Sequence, residues 1–248
     1  MDYVEWVEAV ETVEPHVVRI MTPQCSGTGF LVSHFENSLI CAIATAAHVV
    51  SHAQYWEQPI RIEHKKSGKT ILLRSADRAI FLHAVNDTAA IVFANVELPL
   101  PDKPLDLPPE NRSLKVGNEI GWLGFPDAVA HGDLCFFSGR VSAYREKQFE
   151  YLVDGVAING VSGGPAFWNG ASRVTLVGVM RAYIANRATG ETLPGLSVVT
   201  NVDKFHELSK LFKSVDEAKE KESPPKPPNT KPESSNPALN RTHLKRRR

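Results

Sequence analysis

Short apolar runs separated by turn residues dominate the hydrophobic pattern of this 248-residue chain. The runs are rich in Val, Ile, Leu, Phe and Thr, and Gly, Pro, Asn and Asp interrupt them, which is typical of antiparallel β-strands. We therefore predict an all-β chain with two groups of strands. The first group covers 16–22, 27–33, 38–45, 60–64, 69–74, 79–83 and 88–93, and the second covers 119–124, 135–144, 150–154, 165–168, 174–182 and 197–200.

A proline-rich segment separates the two groups of strands. Residues 98–109 contain five prolines, which oppose regular strand pairing and suit an extended connection. Helical periodicity is confined to a short stretch at 4–13 and to 203–212, where Phe205, Leu208 and Phe212 follow three- and four-residue spacing. The pattern therefore predicts two β units and a short C-terminal helix.

The composition changes abruptly near residue 214. Residues 214–248 contain six prolines and few large apolar side chains. Such a segment cannot bury enough surface to offset its ordering entropy, so we predict a disordered tail. Its basic end, 245–248, is most simply a solvated terminus, and contact with nucleic acid, acidic lipid or a receptor is the alternative.

Charge and composition exclude several classes of protein. Lys and Arg number 28, as do Asp and Glu, so no net charge attracts nucleic acid or anionic membrane. No apolar run approaches the ~20 residues that a membrane span needs. The acidic N-terminus lacks the basic and apolar regions of a secretory signal, so a cytoplasmic location is expected.

Cysteine and glycine spacing gives no sign of a cofactor. The three cysteines, Cys25, Cys41 and Cys135, cannot all pair within one chain, and free thiols in a reducing compartment are favoured. No His or Cys spacing matches a metal site, and segment 27–29 lacks the third glycine of a dinucleotide fingerprint. We expect neither a metal nor an organic cofactor.

One serine lies in a glycine-rich segment that suits a nucleophile. Ser162 stands in Asn-Gly-Val-Ser-Gly-Gly-Pro, residues 159–165, where glycines permit a sharp turn and a close approach of backbone N–H groups. A serine hydroxyl needs a base and a group that orients this base. His48 follows the apolar run 39–43 and Asp87 opens the run 88–93, so both are candidates for these roles.

Each of these motifs has a simpler interpretation when it is taken alone. The chain has nine histidines, most of which must be core or surface residues. An Asp at the head of a strand is often a turn residue, and Gly-Gly-Pro is itself a turn signal. The joint occurrence of all three in the order His, Asp, Ser favours a catalytic triad, and an inactive relative is the remaining alternative.

The three segments resemble those of the chymotrypsin/trypsin-like serine peptidases. Thr-Ala-Ala-His at 45–48, Asp-Thr-Ala-Ala-Ile at 87–91 and Gly-Val-Ser-Gly-Gly-Pro at 160–165 match in order and spacing. Segments 17–20, 26–32, 121–126 and 138–143 resemble the HtrA (Deg) branch, and the likeness covers about residues 12–210. The tail is too short and polar for the PDZ domain of many HtrA relatives.

This resemblance implies a fold and an activity. The fold is two packed six-stranded antiparallel β-barrels, about 16–95 and 115–200, with a C-terminal helix at about 203–212, in a peptidase domain spanning 1–213. The activity is that of a serine endopeptidase acting on a protein or peptide substrate. Ser162 is the nucleophile, His48 the base and Asp87 its orienting group, and the N–H groups of Gly160 and Ser162 form the oxyanion hole.

The resemblance also suggests how substrate is recognised. Val156 occupies the place of the Asp that gives trypsin its preference for basic residues, so a small or medium aliphatic residue is expected at the cut site. Met180 and Arg181 fall on the strand that borders the substrate, although Arg181 is equally explained as an ordinary exposed charge.

Val161 departs from the family pattern, because an Asp or Asn usually stands before the serine. Activation by an N-terminal ion pair is therefore excluded. Either the oxyanion loop switches with a partner or substrate, or packing of Val161 supports it. Two further functions remain open: a catalytically silent peptide-binding or regulatory module, and a partner-activated protease effector in a larger assembly.

Overall fold

The computed structural model describes residues 5–35, 39–129, 132–170, 173–185 and 192–222. Its helices are α1 (Trp6–Val13), α2 (Ala47–Tyr55) and α3 (Asp203–Glu222). Its strands are β1 (Val17–Met21), β2 (Ser26–His34), β3 (Ile40–Ala46), β4 (Ile60–His64), β5 (Lys69–Leu73), β6 (Arg78–His83), β7 (Thr88–Ala94), β8 (Glu119–Gly124), β9 (Cys135–Arg145), β10 (Glu150–Asp154), β11 (Pro165–Asn169), β12 (Val174–Ala185) and β13 (Thr192–Asn201).

The first seven strands form one curled antiparallel sheet. Its order is β5-β4-β1-β2-β3-β7-β6, so β5 and β6 are edge strands. Side chains alternate between faces as a half-buried strand requires: Ile60 and Ile62 of β4 are fully buried, whereas Arg61 between them is exposed. The core of this sheet is mostly aliphatic and includes Ile20, Ile43 and several valines.

The remaining six strands close into a barrel in the order β10-β13-β12-β11-β8-β9. Its interior is filled by large side chains, and Trp122 of β8 and Tyr151 of β10 are almost fully buried there. The Tyr151 hydroxyl accepts a hydrogen bond from the Leu114 N–H at 3.1 Å, so this buried polar group has a partner.

The two terminal helices pack on the β unit to which they are not directly connected. Helix α1 precedes the first sheet, yet Trp6 lies against Phe136 and Phe167 of the closed barrel. Helix α3 follows the closed barrel, yet Phe205 and Phe212 belong to a cluster with residues of β2 and β3. The helices therefore tie the two units together.

The predicted all-β double-barrel fold is confirmed, with three differences in detail. The first unit is an open seven-stranded sheet and not a closed six-stranded barrel. Helix α2 was not predicted, because Ala and Val at 46–50 extend the apolar pattern of the preceding strand.

Helix α3 continues beyond residue 212, where we expected it to end, and reaches Glu222. Residues 213–222 contain three Lys and three Glu, which are strong helix formers, so a composition that suggested disorder also suits a helix. The rest of the predicted tail, 223–248, lies outside the described residues.

The three cysteines are free thiols in this structure. Cys41 lies in the core of the first sheet, and burial raises the pKa of its thiol to about 12, which keeps it protonated and unreactive. No described helix is long and apolar enough to cross a membrane.

We predict that α3 is required for stability. Phe205 is 4% exposed and meets the Phe30 ring edge to face at 6.5 Å. Phe205→Ala should lower the free energy of unfolding by about 3–5 kcal/mol in chemical denaturation, because a buried ring is lost. Phe81→Ala, at a site 47% exposed, is the matched control and should cost less than about 1 kcal/mol. Equal losses in both variants would show that α3 is not part of the core.

Candidate active site

Strand register brings His48 and Asp87 together. Strands β3 and β7 pair antiparallel with Ala46 opposite Thr88, so the end of one strand lies beside the start of the other. His48 stands two residues after Ala46, in the first turn of α2, and Asp87 stands one residue before Thr88. The two side chains therefore emerge at the same edge of the sheet.

Asp87 holds both the backbone and the ring of His48. Its Oδ1 accepts the His48 backbone N–H at 2.8 Å, and its Oδ2 accepts a hydrogen bond from His48 Nδ1 at 2.8 Å. A carboxylate only accepts hydrogen bonds, so Nδ1 carries the proton and Nε2 is left as the acceptor. Asp87 adopts a left-handed backbone with φ of 50°, which Asp tolerates better than most residues.

The surroundings of Asp87 keep its carboxyl ionised. Burial raises the pKa of this carboxyl, but the hydrogen bonds and charge of His48, together with the charge of Arg181, outweigh burial and hold the pKa below its usual value. The side chain of Asp87 is only 16% exposed, whereas that of His48 is 48% exposed. Asp87 thus fixes the orientation of the His48 ring from inside the protein, while the ring itself is half exposed to solvent.

Ser162 lies in the turn between β10 and β11. Only glycine fits at position 160, two residues before it, and at position 163, directly after it. Gly160 and Gly163 both have φ of 89°. A Cβ on Gly163 would stand 2.1 Å from the Thr28 carbonyl oxygen, and one on Gly160 would stand 2.2 Å from that of Phe125. Gly163 therefore allows this turn to press against the first sheet, and Gly160 allows it to press against the segment that follows β8.

Thr28 of β2 fastens the Ser162 turn to the first sheet. Its backbone N–H donates to the Ser162 carbonyl at 2.8 Å, and its hydroxyl donates to the Gly160 carbonyl at 2.8 Å. The same hydroxyl accepts the Phe125 N–H at 3.0 Å, and the Thr28 carbonyl accepts the hydroxyl of Thr45 at 2.7 Å. Thr28 is fully buried, so these bonds have no competition from water.

The serine and the His48–Asp87 pair meet at Arg181 of β12. The Ser162 hydroxyl donates to the Arg181 carbonyl at 3.1 Å, and Arg181 Nε lies 3.4 Å from Asp87 Oδ2. A Cβ on Gly27 would touch both the Val49 side chain and the Ser162 carbonyl. The three predicted residues are therefore brought to one place, although no hydrogen bond joins Ser162 to His48 among the described residues.

The peptide between Asn159 and Gly160 has a fixed orientation. The Asn159 carbonyl accepts the Asp127 N–H at 2.9 Å, and the Asp127 carboxylate accepts the Ser26 hydroxyl. The carbonyl and N–H of a trans peptide point in opposite directions, so the Gly160 N–H is directed away from Asp127. Within the described part of the chain, neither this N–H nor that of Ser162 has an acceptor.

Val161 is an apolar anchor of the turn. Its side chain is fully buried in the core of the closed barrel and lies against Gly124, where an added Cβ would approach it to 2.7 Å. Of the two alternatives that the sequence left open for this loop, the packing observed here agrees with support by Val161.

The three residues expected to bind substrate are placed differently from one another. Val156 is 52% exposed on the segment before the Ser162 turn. Met180 is fully buried, and it contacts the turn through its backbone, since its carbonyl accepts the Gly163 N–H at 2.6 Å. The Arg181 side chain is directed to Asp87 and Glu150. The substrate role of all three stays a prediction.

Sequence reasoning missed the supporting residues Thr28, Asp127 and Glu150. Thr28 stands between two glycines in Ser-Gly-Thr-Gly, a pattern that indicates close backbone approach and could have marked it. Asp127 and Glu150 carry no local signal. No cluster of three or more His, Cys, Asp or Glu side chains suited to a metal occurs in the described ranges.

The sequence and the fold both relate this chain to known proteins. Residues 27–179 match the family model described as trypsin-like peptidase domain, which is more than half of the chain. The chain therefore belongs to the trypsin-like peptidase family. No curated protein matches the sequence.

Solved structures share the fold at low sequence identity. The serine endoprotease from Yersinia pestis superposes with a TM-score of 0.62 at 17% identity, covering 86% of this chain and 68% of that one. Deg5 gives a TM-score of 0.58 at 20% identity, covering 81% and 90%. An inactive form of Rv3671c from M. tuberculosis H37Rv gives 0.57 at 18% identity, covering 83% and 90%. The family model confirms the resemblance to the trypsin-like peptidases, and the likeness to Deg5 is one of fold.

We predict that the Thr28 hydroxyl is needed to hold the Ser162 turn. Thr28→Val removes the partner of two buried backbone groups and should lower the free energy of unfolding by at least about 2 kcal/mol. Thr28→Ser keeps the hydroxyl and should lose only about 1 kcal/mol. Chemical denaturation of both variants gives the comparison, and equal losses would contradict a role for the hydroxyl.

We also predict an acid-sensitive contribution of Asp87 to stability. Its native pKa lies below the unfolded value of about 3.9, so its stabilisation is complete above that value and is lost as the pH falls through the native pKa. Between about pH 5 and pH 3, Tm should therefore decrease more in the wild type than in Asp87→Asn. Asp106→Asn, in an exposed ion pair with Arg173, should follow the wild type. Parallel curves for wild type and Asp87→Asn would contradict this account.

Proposed function

We propose that this protein is a serine endopeptidase in which Ser162 is the nucleophile, His48 the general base and Asp87 the group that orients it. The family supplies the class of reaction, which is hydrolysis of a peptide bond. The hold of Asp87 on both the backbone N–H and the ring of His48 carries the proposal. It fixes the tautomer that leaves Nε2 ready to accept a proton.

The reaction begins when the Ser162 hydroxyl leaves the Arg181 carbonyl. Rotation of the serine side chain to another staggered conformer turns the hydroxyl toward His48 Nε2. The serine oxygen then attacks the peptide carbonyl carbon while its proton passes to Nε2. The same proton goes to the leaving amine when the C–N bond breaks, and water hydrolyses the acyl-enzyme by the reverse use of His48.

The N–H groups of Gly160 and Ser162 donate hydrogen bonds to the substrate oxygen and stabilise the negative charge that develops on it. Both are without an acceptor among the described residues, and the bond from Asp127 to the Asn159 carbonyl keeps the Gly160 N–H turned outward. Preorganised donors of this kind contribute about 10²–10³ in rate each. The hydrogen bond from Thr28 to the Gly160 carbonyl and the buried side chain of Val161 keep the turn in place.

This arrangement favours an enzyme that is competent without a partner. A loop that awaited activation would need a different peptide orientation between Asn159 and Gly160, whereas the observed one is held by internal hydrogen bonds. We therefore favour the simple peptidase over the silent module and over the partner-activated effector.

We further propose cleavage after small or medium aliphatic residues. Val156 is apolar and half exposed near the Ser162 turn, and it offers no charge to a basic side chain. A strict preference for Lys or Arg in a cleavage-site profile would refute this proposal.

Replacement of the reacting groups should abolish hydrolysis of a quenched fluorescent peptide with aliphatic residues. Ser162→Ala and His48→Ala should each lower kcat/KM by more than about 10⁴-fold, because the nucleophile or its base is lost. The matched controls are Ser214→Ala on α3 and His52→Ala, one turn further along α2, and both should retain activity. Hydrolysis by Ser162→Ala at the wild-type rate would overturn the assignment.

A further inference from the structure

Arg181 occupies an irregular position on β12. The pairing of β12 with β13 shifts between Met180 and Ala182, so Arg181 is the extra residue of a β-bulge. A bulge redirects the side chain at which it occurs, and bulges are frequent beside active sites. Here the bulge leaves the Arg181 carbonyl to accept the Ser162 hydroxyl at 3.1 Å and turns the guanidinium toward the first sheet.

The guanidinium of Arg181 joins charged groups from both β units. Its Nε lies 3.4 Å from Oδ2 of Asp87, the same oxygen that accepts His48 Nδ1. Its Nη1 donates to Glu150 Oε2 at 3.0 Å. Asp87 belongs to the first sheet and Glu150 to the closed barrel, so Arg181 bridges the two units at the site itself.

Glu150 holds the Arg181 guanidinium in place. Its side chain is 3% exposed, and its other carboxylate oxygen pairs with Arg145, which stands opposite it across the β9–β10 pairing. A buried carboxylate without cationic partners would be costly, so Glu150 retains both guanidinium groups. Arg181 is consequently not a solvated surface charge.

We infer that Arg181 is a positioning residue for the proposed reaction: it holds the Asp87 carboxylate against His48 and adds a positive charge beside the Asp87–His48 pair. The inference rests on the proposed function, in which His48 acts as the base. A cation bridging the shared carboxylate offsets part of the negative charge that would otherwise stabilise an imidazolium.

Charged and titratable groups reach this bridge from five elements. They are His48 of α2, Arg181 of β12, Glu150 of β10, Arg145 of β9 and His83 at the end of β6, whose Nδ1 accepts the Asn86 N–H at 3.3 Å.

The test compares Arg181→Gln, Arg181→Lys and the control Arg173→Gln, which removes an exposed ion pair with Asp106. The first readout needs no activity: the low-field proton NMR signal of the His48 Nδ1–H, assigned by its loss in His48→Ala. It should broaden or vanish in Arg181→Gln, return in Arg181→Lys and stay unchanged in Arg173→Gln. A sharp, unshifted signal in Arg181→Gln would overturn the inference.

The second readout is the pH dependence of kcat/KM for the quenched peptide. Loss of the Arg181 charge should move the midpoint of the acidic limb upward by about one pH unit, and Arg181→Lys should restore it. kcat should fall about tenfold in Arg181→Gln with KM little changed. A rise in KM with an unchanged kcat would contradict the inference and favour the substrate contact predicted for Arg181. An unmoved acidic limb would contradict the inference.

Folding and function are kept separate in this design. If Arg181→Gln fails to fold because Glu150 loses a partner, Arg181→Gln combined with Glu150→Gln removes the uncompensated charge and should show the same weakened signal. If the wild type hydrolyses no peptide, the proposed function fails, whereas the NMR comparison still decides whether Arg181 holds the Asp87–His48 contact.

Discussion

The hydrogen bonds of Thr28 with the Ser162 turn are the interaction on which the site depends. The His48–Asp87 pair belongs to the first sheet and Ser162 to the closed barrel, so chemistry between them requires the two units to keep one relative position. Thr28 bonds the carbonyls of Ser162 and Gly160 from a fully buried place, where loss of either bond leaves an unsatisfied group. Helices α1 and α3 also hold the two units together, at a greater distance from the site, since each packs on the unit to which it is not directly connected.

The two halves of the site are built on different principles. His48 and Asp87 follow from strand register, because the pairing of β3 with β7 places them at one edge and Asp87 then caps the first turn of α2. The Ser162 turn depends instead on two glycines at positive φ: Gly163 allows a close approach to the first sheet, and Gly160 allows one to the segment after β8. Arg181 connects the halves: its carbonyl meets the serine, and its guanidinium meets the carboxylate.

Local patterns predicted much of this molecule, and contacts between distant segments were the part that they could not supply. Alternating apolar positions predicted the strands, and Ser162 was recognisable by its glycines. The spacing of His48, Asp87 and Ser162 pointed to one site because a family pattern links them. Helix α2 was missed because Ala and Val continue the strand pattern, and α3 was predicted too short because charged helix formers also occur in disordered tails. The bonds of Thr28 join residues more than a hundred positions apart, and the bridge from Arg181 to Asp87 depends on a bulge that alternation does not mark.

The reactivity of Ser162 in the purified protein is the most direct test of the central claim. That claim is that internal contacts alone hold the Ser162 turn in its active conformation. A fluorophosphonate probe forms a bond to a serine only where a base and oxyanion donors activate it. The account predicts rapid, stoichiometric labelling of the purified wild type, with the added mass on Ser162, and labelling slower by several orders of magnitude in His48→Ala. Labelling of the wild type no faster than that of His48→Ala would contradict it.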